Sequence, residues 1–194
     1  DIVEELAQKF SENFFGDTRF IIRPHPQNMK GEMGDEKWIY RLRNLEGLKN
    51  VIIQYPKVNE SELLWSTQQI DMEEFTDTIA NSKLLINSGS TASLDAFAHK
   101  KNVILTSFDA GFQRDYYDSA RRIKDYIHYS KIVSYDCLYI AENFNDLMQY
   151  IQDLLDDKTN KNINIKKVFL DQCYSYDGRS TQRVCTELTK IINE

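Results

Sequence analysis

The chain alternates short apolar runs with amphipathic stretches, the pattern of strands separated by helices. Ile2, Val3, Leu6, Phe10 and Phe14 share one face at helical spacing and predict a first helix ending near Gly16. Arg19-Phe20-Ile21-Ile22-Arg23 reads as a short strand running into Pro24-His25-Pro26, where two prolines remove two donors and fix φ, so the strand must stop. Residues 27–36, with Gly31 and Gly34, predict a polar loop, Trp38–Leu45 a helix, and Val51–Gln54 a strand whose end is Gln54-Tyr55-Pro56-Lys57. A helix over Met72–Lys83 carries Phe75 and Ile79 on one face, with Asp71 as its N-cap. Leu84–Asn87 and Val103–Ser107 are apolar on both faces, which suits parallel strands covered by helices above and below. Phe108–Asp118 reads as a loop, Ala120–Tyr129 as a helix and Ile132-Val133-Ser134 as an edge strand. Asn143–Asp157 follows as a helix with Phe144, Leu147, Ile151, Leu154 and Leu155 as its stripe. After a polar linker over Lys158–Asn164, a last helix spans Arg179–Ile192, preceded by Tyr176-Asp177-Gly178.

This order of elements predicts an α/β fold with a Rossmann-like, doubly wound parallel sheet in three αβα layers. In such sheets ligands sit in the crevice at the carboxyl ends of the strands. Pro24-His25-Pro26, Gln54-Tyr55-Pro56, Asn87-Ser88-Gly89-Ser90 and Ser107-Phe108-Asp109 each follow a strand directly, so all four are expected along one rim.

The densest information lies in residues 84–105, which read as strand, turn, helix and second strand. Amides at the start of a helix near Ser90–Ser93 lack intrahelical partners, and the helix dipole adds partial positive charge there, so Ser88, Gly89, Ser90 and Thr91 are candidate ligands of a phosphate. Ser90 or Thr91 serves equally well as an ordinary N-cap. The turn has neither the G-x-x-x-x-G-K-[ST] nor the G-x-G-x-x-G form, so no P-loop NTPase or Rossmann dehydrogenase is indicated.

At 194 residues the chain suffices for one domain, and 41% hydrophobic with 28% charged residues is a globular composition. A net charge of −6 argues against non-specific nucleic-acid binding. No apolar run approaches the ~20 residues that span a bilayer. Cys137, Cys173 and Cys185 lack metal-ligand spacing and read as reduced thiols of a cytoplasmic protein. Asp1 stands directly inside an amphipathic pattern, which suggests a domain cut from a longer chain.

Three segments, Arg23-Pro24-His25-Pro26, Asn87-Ser88-Gly89-Ser90-Thr91-Ala92-Ser93-Leu94-Asp95-Ala96 and Asp177-Gly178-Arg179-Ser180-Thr181-Gln182-Arg183, resemble in order and spacing the carboxyl-terminal half of bacterial CDP-glycerol glycerophosphotransferases and related surface-polysaccharide glycosyltransferases. The resemblance implies one half of a GT-B fold, a domain that binds a nucleotide-sugar or CDP-alcohol donor. A separate amino-terminal acceptor domain, peripheral membrane association of the whole protein and no metal or other cofactor are implied with it. That family usually carries Asp-Tyr-Ser-Ser at the turn. Asn87-Ser88-Gly89-Ser90 looks more like the turn of glycosyltransferases and of UDP-N-acetylglucosamine 2-epimerases. A sugar-nucleotide epimerase half and a non-catalytic module of the same fold are the competing readings.

The same resemblance implies roles for single residues. His25, held between prolines, is the candidate acid–base group, against a rim histidine without a role. Asp95, seven positions after Ser88, is the candidate ribose ligand where related enzymes have Glu, against a solvated helix carboxylate. Arg23 and Arg179 are weaker candidates for the donor phosphate, and each suits an ion pair with a neighbouring carboxylate as well. On this reading the chain alone is inactive as a transferase, because the acceptor side is supplied elsewhere.

Overall fold

The computed structural model describes residues 1–29, 36–59, 66–111 and 114–193. Two compact units account for them: residues 1–78 with 110–112, and residues 79–109 with 113–194.

In the first unit α1 (Ile2–Ser11) starts on a reciprocal cap, in which the Asp1 carboxylate accepts from the Val3 and Glu4 amides and the Glu4 side chain returns to the Asp1 amine. The helix stops at Ser11 rather than near Gly16, because Asn13 enters the left-handed region (φ 63°) and Phe15 folds back to a centroid distance of 4.7 Å from Phe10. β1 (Phe20–Ile22) pairs in parallel with β2 (Val51–Ile53), and α2 (Glu36–Arg43) lies between them in sequence. Ala7, Ile22, Leu42 and Leu45 form the buried centre of this βαβ unit. A short antiparallel pair, β3 (Val58–Asn59) with β4 (Ser66–Thr67), is an element the sequence pattern does not announce. Gly31 and Gly34 of the expected loop lie outside the described residues; Pro26–Asn28, at its start, is a short 3₁₀ turn.

Helix α3 (Gln69–Asn81) carries the chain onward. Asp71 sits inside its first turn and is not the N-cap; its carboxylate is engaged elsewhere, as described below.

The second unit contains β5 (Leu84–Asn87), α4 (Ala92–Ala98) and β6 (Asn102–Thr106). Two 3₁₀ turns follow, Tyr116–Asp118 and Ala120–Asp125, and then α5 (Ile127–Ser134), β7 (Leu138–Ala141), α6 (Phe144–Leu155), α7 (Asn162–Cys173) and α8 (Ser180–Asn193). The strands form a parallel sheet in the order β5-β6-β7. β6 is central, and Val103, Ile104 and Leu105 are wholly buried, as a strand covered on both faces should be. α6 is capped by the Asn143 side chain on the Asp146 amide and buries Leu147, Ile151 and Leu154, one stripe at i, i+4 and i+7.

Three expectations fail in this unit. Residues 120–129 do not form one helix, because Tyr126 is extended (ψ 128°) and separates a 3₁₀ turn from α5. Ile132-Val133-Ser134 is the end of α5, not a strand: Tyr129 and Ile132 lie three apart and are both buried, so the helical period wins over β-branching. The strand is β7, entered after Asp136 turns the chain at φ 49°. Helix α7 begins inside the expected linker and buries Ile165, Val168 and Phe169.

The molecule is therefore a mixed α/β protein with parallel strand pairing in both units. Among the described residues the strands form three sheets, of two, two and three strands.

Candidate functional site

Four hydroxyl-bearing or glycine positions follow β5 without a break: Ser88, Gly89, Ser90 and Thr91. Gly89 adopts φ +92°, a conformation that side-chain-bearing residues rarely take, and the space where a Cβ would stand is filled by Ile123, whose Cγ1 lies 2.0 Å from that point. The turn is held from inside by Asn87. Its Oδ1 accepts from the amides of Gly89 (2.8 Å) and Ser90 (3.2 Å), and its Nδ2 donates to Ser93 Oγ at 2.9 Å. Ser93 Oγ in turn meets the Tyr129 hydroxyl at 2.9 Å, and burial pushes that phenol up to about 12. Ser90 Oγ accepts from the Ala92 amide, while Thr91, at the N-cap, makes no side-chain cap bond.

Of the amides from Gly89 to Ala92, three are thus already bonded within the turn, and the Thr91 amide has no hydrogen bond among the described residues. Helix α4 has only seven residues. The polar groups the turn presents to solvent are therefore the exposed hydroxyls of Ser88, Ser90 and Thr91 and the Thr91 amide, at the start of a short helix.

Beside the turn, Ser88 Oγ lies 2.7 Å from Thr106 Oγ1 at the end of β6, and Thr106 also donates to the Asn87 carbonyl. Ser107, the next residue, is 1% exposed, and its Oγ has no hydrogen-bond partner among the described residues. An unmatched buried hydroxyl costs about 1–3 kcal/mol, so this one is a candidate for a ligand oxygen. Asp109 accepts from Ser119 Oγ (2.6 Å) and the Ala120 amide (3.0 Å), bonds that hold its carboxyl below the usual range. At the end of β7, Glu142 pairs with Lys124 at 2.8 Å. The residues that follow β5, β6 and β7 are therefore all tied to the segment 115–126. The sequence pattern does not mark this arrangement, since it joins residues ten or more positions apart through one or two contacts each.

Asp95 lies on α4 with its carboxyl raised, first by the desolvation of packing and against the pull of His99. Its negative charge also adds to the burial that raises the Cys173 thiol, which places Asp95 toward α7, the helix packed on α4. Arg179 is exposed; its amide caps onto Asp177 Oδ1 at 3.0 Å. The charge pair at that helix start is made by Arg183, which binds both Asp177 oxygens at 2.9 and 2.8 Å.

His25 and Arg23 belong to the first unit. His25 is exposed, and its carbonyl accepts from the Asn28 amide to form the 3₁₀ turn. Arg23 donates to Asp71 Oδ2 at 2.6 Å and lies 5.2 Å from the Phe75 ring centre. Asp71 is fully buried, and its other oxygen accepts from the Lys57 amide at 2.7 Å. Arg23 is thus committed to a carboxylate, although its Nη1 is buried without a partner among the described residues. The same unit holds a cavity of about 380 Å3 at the ends of β1 and β2, lined in part by Pro26, Met29, Ile39, Arg43, Tyr55 and Pro56. Tyr55 donates to Glu46 at 2.6 Å, and burial with that carboxylate pushes the phenol to about 12.

Of the four expected rim segments, two belong to each unit: Pro24-His25-Pro26 and Gln54-Tyr55-Pro56 to the first, Asn87–Ser90 and Ser107-Phe108-Asp109 to the second. Among the described residues no group of three or more His, Cys, Asp or Glu side chains is arranged to hold a metal ion, and no helix is long and apolar enough to cross a membrane. Comparisons with protein-family models, curated proteins and solved structures give no match to this chain.

Proposed function

We propose that the chain is the donor-binding domain of a bacterial glycosyltransferase or glycerophosphotransferase that builds a cell-surface polysaccharide, working in the cytoplasm. The fold on this reading is a Rossmann-like, doubly wound, three-layer αβα domain, one half of a GT-B pair. The observation that carries it is the β5–α4–β6 unit. A parallel strand ends in a turn with Gly89 at φ +92°, hydroxyls of Ser88, Ser90 and Thr91 line that turn, and Ser88 meets Thr106 from the neighbouring strand end. Strand ends of parallel sheets are where nucleotides bind in this class of fold, and the resemblance of residues 87–96 and 177–183 to the transferase family points the same way.

On this reading Ser88, Gly89, Ser90 and Thr91 hold the diphosphate of a nucleotide-sugar or CDP-alcohol, Asp95 and Arg179 serve its ribose and phosphate, and His25 is the acid–base group. No metal takes part. Arg23 supports the domain through Asp71 and is the weakest of the site candidates.

Titration calorimetry with UDP, CDP and CMP tests this reading. One of the three binds the wild-type chain, and Ser90→Asp abolishes that binding by setting a like charge on the phosphate, with the circular dichroism spectrum unchanged. Binding that survives Ser90→Asp removes the site assignment. No binding of any of the three favours a non-catalytic module, a reading that the internally satisfied amides of Gly89 and Ser90 also support.

A further inference from the structure

Residues 115–126 run as two short 3₁₀ turns tied to the chain just beyond each strand of the β5-β6-β7 sheet. Asp109 takes Ser119 Oγ and the Ala120 amide, Glu142 takes Lys124, and Ile123 packs on Gly89. The last contact decides access: Ile123 Cγ1 and Cδ1 stand 2.0 and 2.4 Å from where a Gly89 Cβ would be, so the glycine face of the turn is occupied by the protein's own side chain. Neither 3₁₀ turn has a buried apolar residue. Two of the three attachments are polar, and one of these, Lys124 with Glu142, is a partly exposed ion pair. Segments held by so few buried apolar contacts open locally at lower free energy than the core they cover.

We propose that residues 115–126 form a lid over the β5–α4 turn, that Ile123 is its plug, and that a nucleoside diphosphate, met first by the exposed Ser90 and Thr91, gains the Gly89 face of the turn only when the lid lifts. The proposal rests on the donor-binding reading of that turn and adds its regulation. Ile123 is flanked by Arg121, Arg122 and Lys124, so lifting the plug also moves three cations that neighbour it in sequence. Binding is weakened by the fraction of time the lid is shut, and loosening the lid without touching the turn strengthens it. The buried, unpartnered hydroxyl of Ser107 at the end of β6 marks a polar position at the same strand ends that the closed arrangement leaves unsatisfied.

Two measurements test the lid on the chain as it stands. In hydrogen exchange without ligand, amides of 119–126 are expected to exchange at least about tenfold faster than those of Val103–Leu105, as sub-global opening requires. Equal protection of the two segments overturns the lid whatever the nucleotides do. In calorimetry with UDP and CDP, Ile123→Ala is expected to tighten binding by about tenfold relative to wild type, because the plugged fraction falls. Asp109→Ala, which frees Ser119 and Ala120, acts in the same direction and stands in if Ile123→Ala fails to fold. Equal or weaker binding in these variants overturns the plug while leaving the donor-binding reading intact. If neither wild type nor variants bind UDP or CDP although the lid exchanges early, the donor-binding reading falls and takes the lid's ligand with it.

Discussion

The two units finish their parallel strands in opposite chemical styles. In the first, β1 runs into Arg23, which is locked to the buried carboxylate of Asp71. In the second, β5 runs into Asn87, whose neutral amide ties the following turn to Ser93 and Tyr129. Both devices fasten a strand end, but their costs of failure differ. A buried charge stripped of its partner is worth about 3–5 kcal/mol, whereas a neutral buried group left unbonded costs about 1–3 kcal/mol. The charged clamp suits a strand end that stays put. The neutral one suits a turn whose bonds can be traded for a ligand's.

The strongest attack on this contrast is Asp71→Ala, which leaves the Arg23 guanidinium buried and also frees the Lys57 amide; a loss of about 3–5 kcal/mol in denaturant unfolding is expected. A loss below 1 kcal/mol, on the order of an exposed ion pair, would show that the first unit does not depend on its charge pair.

Gly89→Ala comes next. Strain at φ +92° and collision with Ile123 add to about 2–4 kcal/mol. Adding Ile123→Ala should return roughly half of it, the overlap part, leaving the backbone part behind. A double variant as unstable as Gly89→Ala alone would mean that Ile123 does not rest on the glycine.

Tyr129→Phe is expected to cost about 1–2 kcal/mol, the value of a neutral buried hydrogen bond. The same residue gives the second unit an alkaline limit. Tyr129 ionises near 10 when unfolded and is pushed to about 12 when folded, so the unfolded chain sheds protons first and stability falls as pH rises from 10 toward 12. Cys137, raised by burial from 9 to about 11, adds to the decline from pH 9 upward. Unfolding midpoints between pH 8 and 12, compared for wild type and Tyr129→Phe, check this: the variant should decline less steeply above pH 10.

The smallest effect is expected at Glu4, whose carboxyl is lowered from 4.5 to about 2, chiefly by Arg41. A depressed carboxylate stabilises above its unfolded value, so this contribution is present above pH 4.5 and is lost as pH falls toward 2. Both partners are about one-third exposed, so Glu4→Gln should cost under about 1 kcal/mol and less still in high salt. A salt-independent cost would place the pair with the buried clamps instead.

Elements were legible where one face of the pattern dominates. β5 and β6 each hold three consecutive apolar residues, Leu84-Leu85-Ile86 and Val103-Ile104-Leu105, and α6 shows its stripe at Leu147, Ile151 and Leu154 in the bare sequence. Residues 120–134 depart from the sequence pattern because Ile132-Val133 has strand composition but packs at a helical interval from Tyr129, and the strand at Leu138–Ala141 is too short to display a period. In the candidate site, Ser88–Thr91 were visible as a polar turn between apolar strands. Asn87 is the strand's last residue, and its bonds to the amides two and three positions on are the local turn chemistry of an Asn, whereas its reach to Ser93 and Tyr129 comes from packing.

By itself the sequence determined that this protein has parallel strands alternating with helices, and that a Ser-Gly-Ser-Thr turn follows one of them, because strand burial and turn chemistry are written in neighbouring residues. Only the tertiary structure decided which donors the turn still offers, that Arg23 belongs to Asp71, and that Ile123 rests on Gly89. The last two outcomes join residues 48 and 34 positions apart, and no local pattern encodes the partner of a side chain at that range, since it is chosen by which surfaces the packed elements bring within a few ångströms.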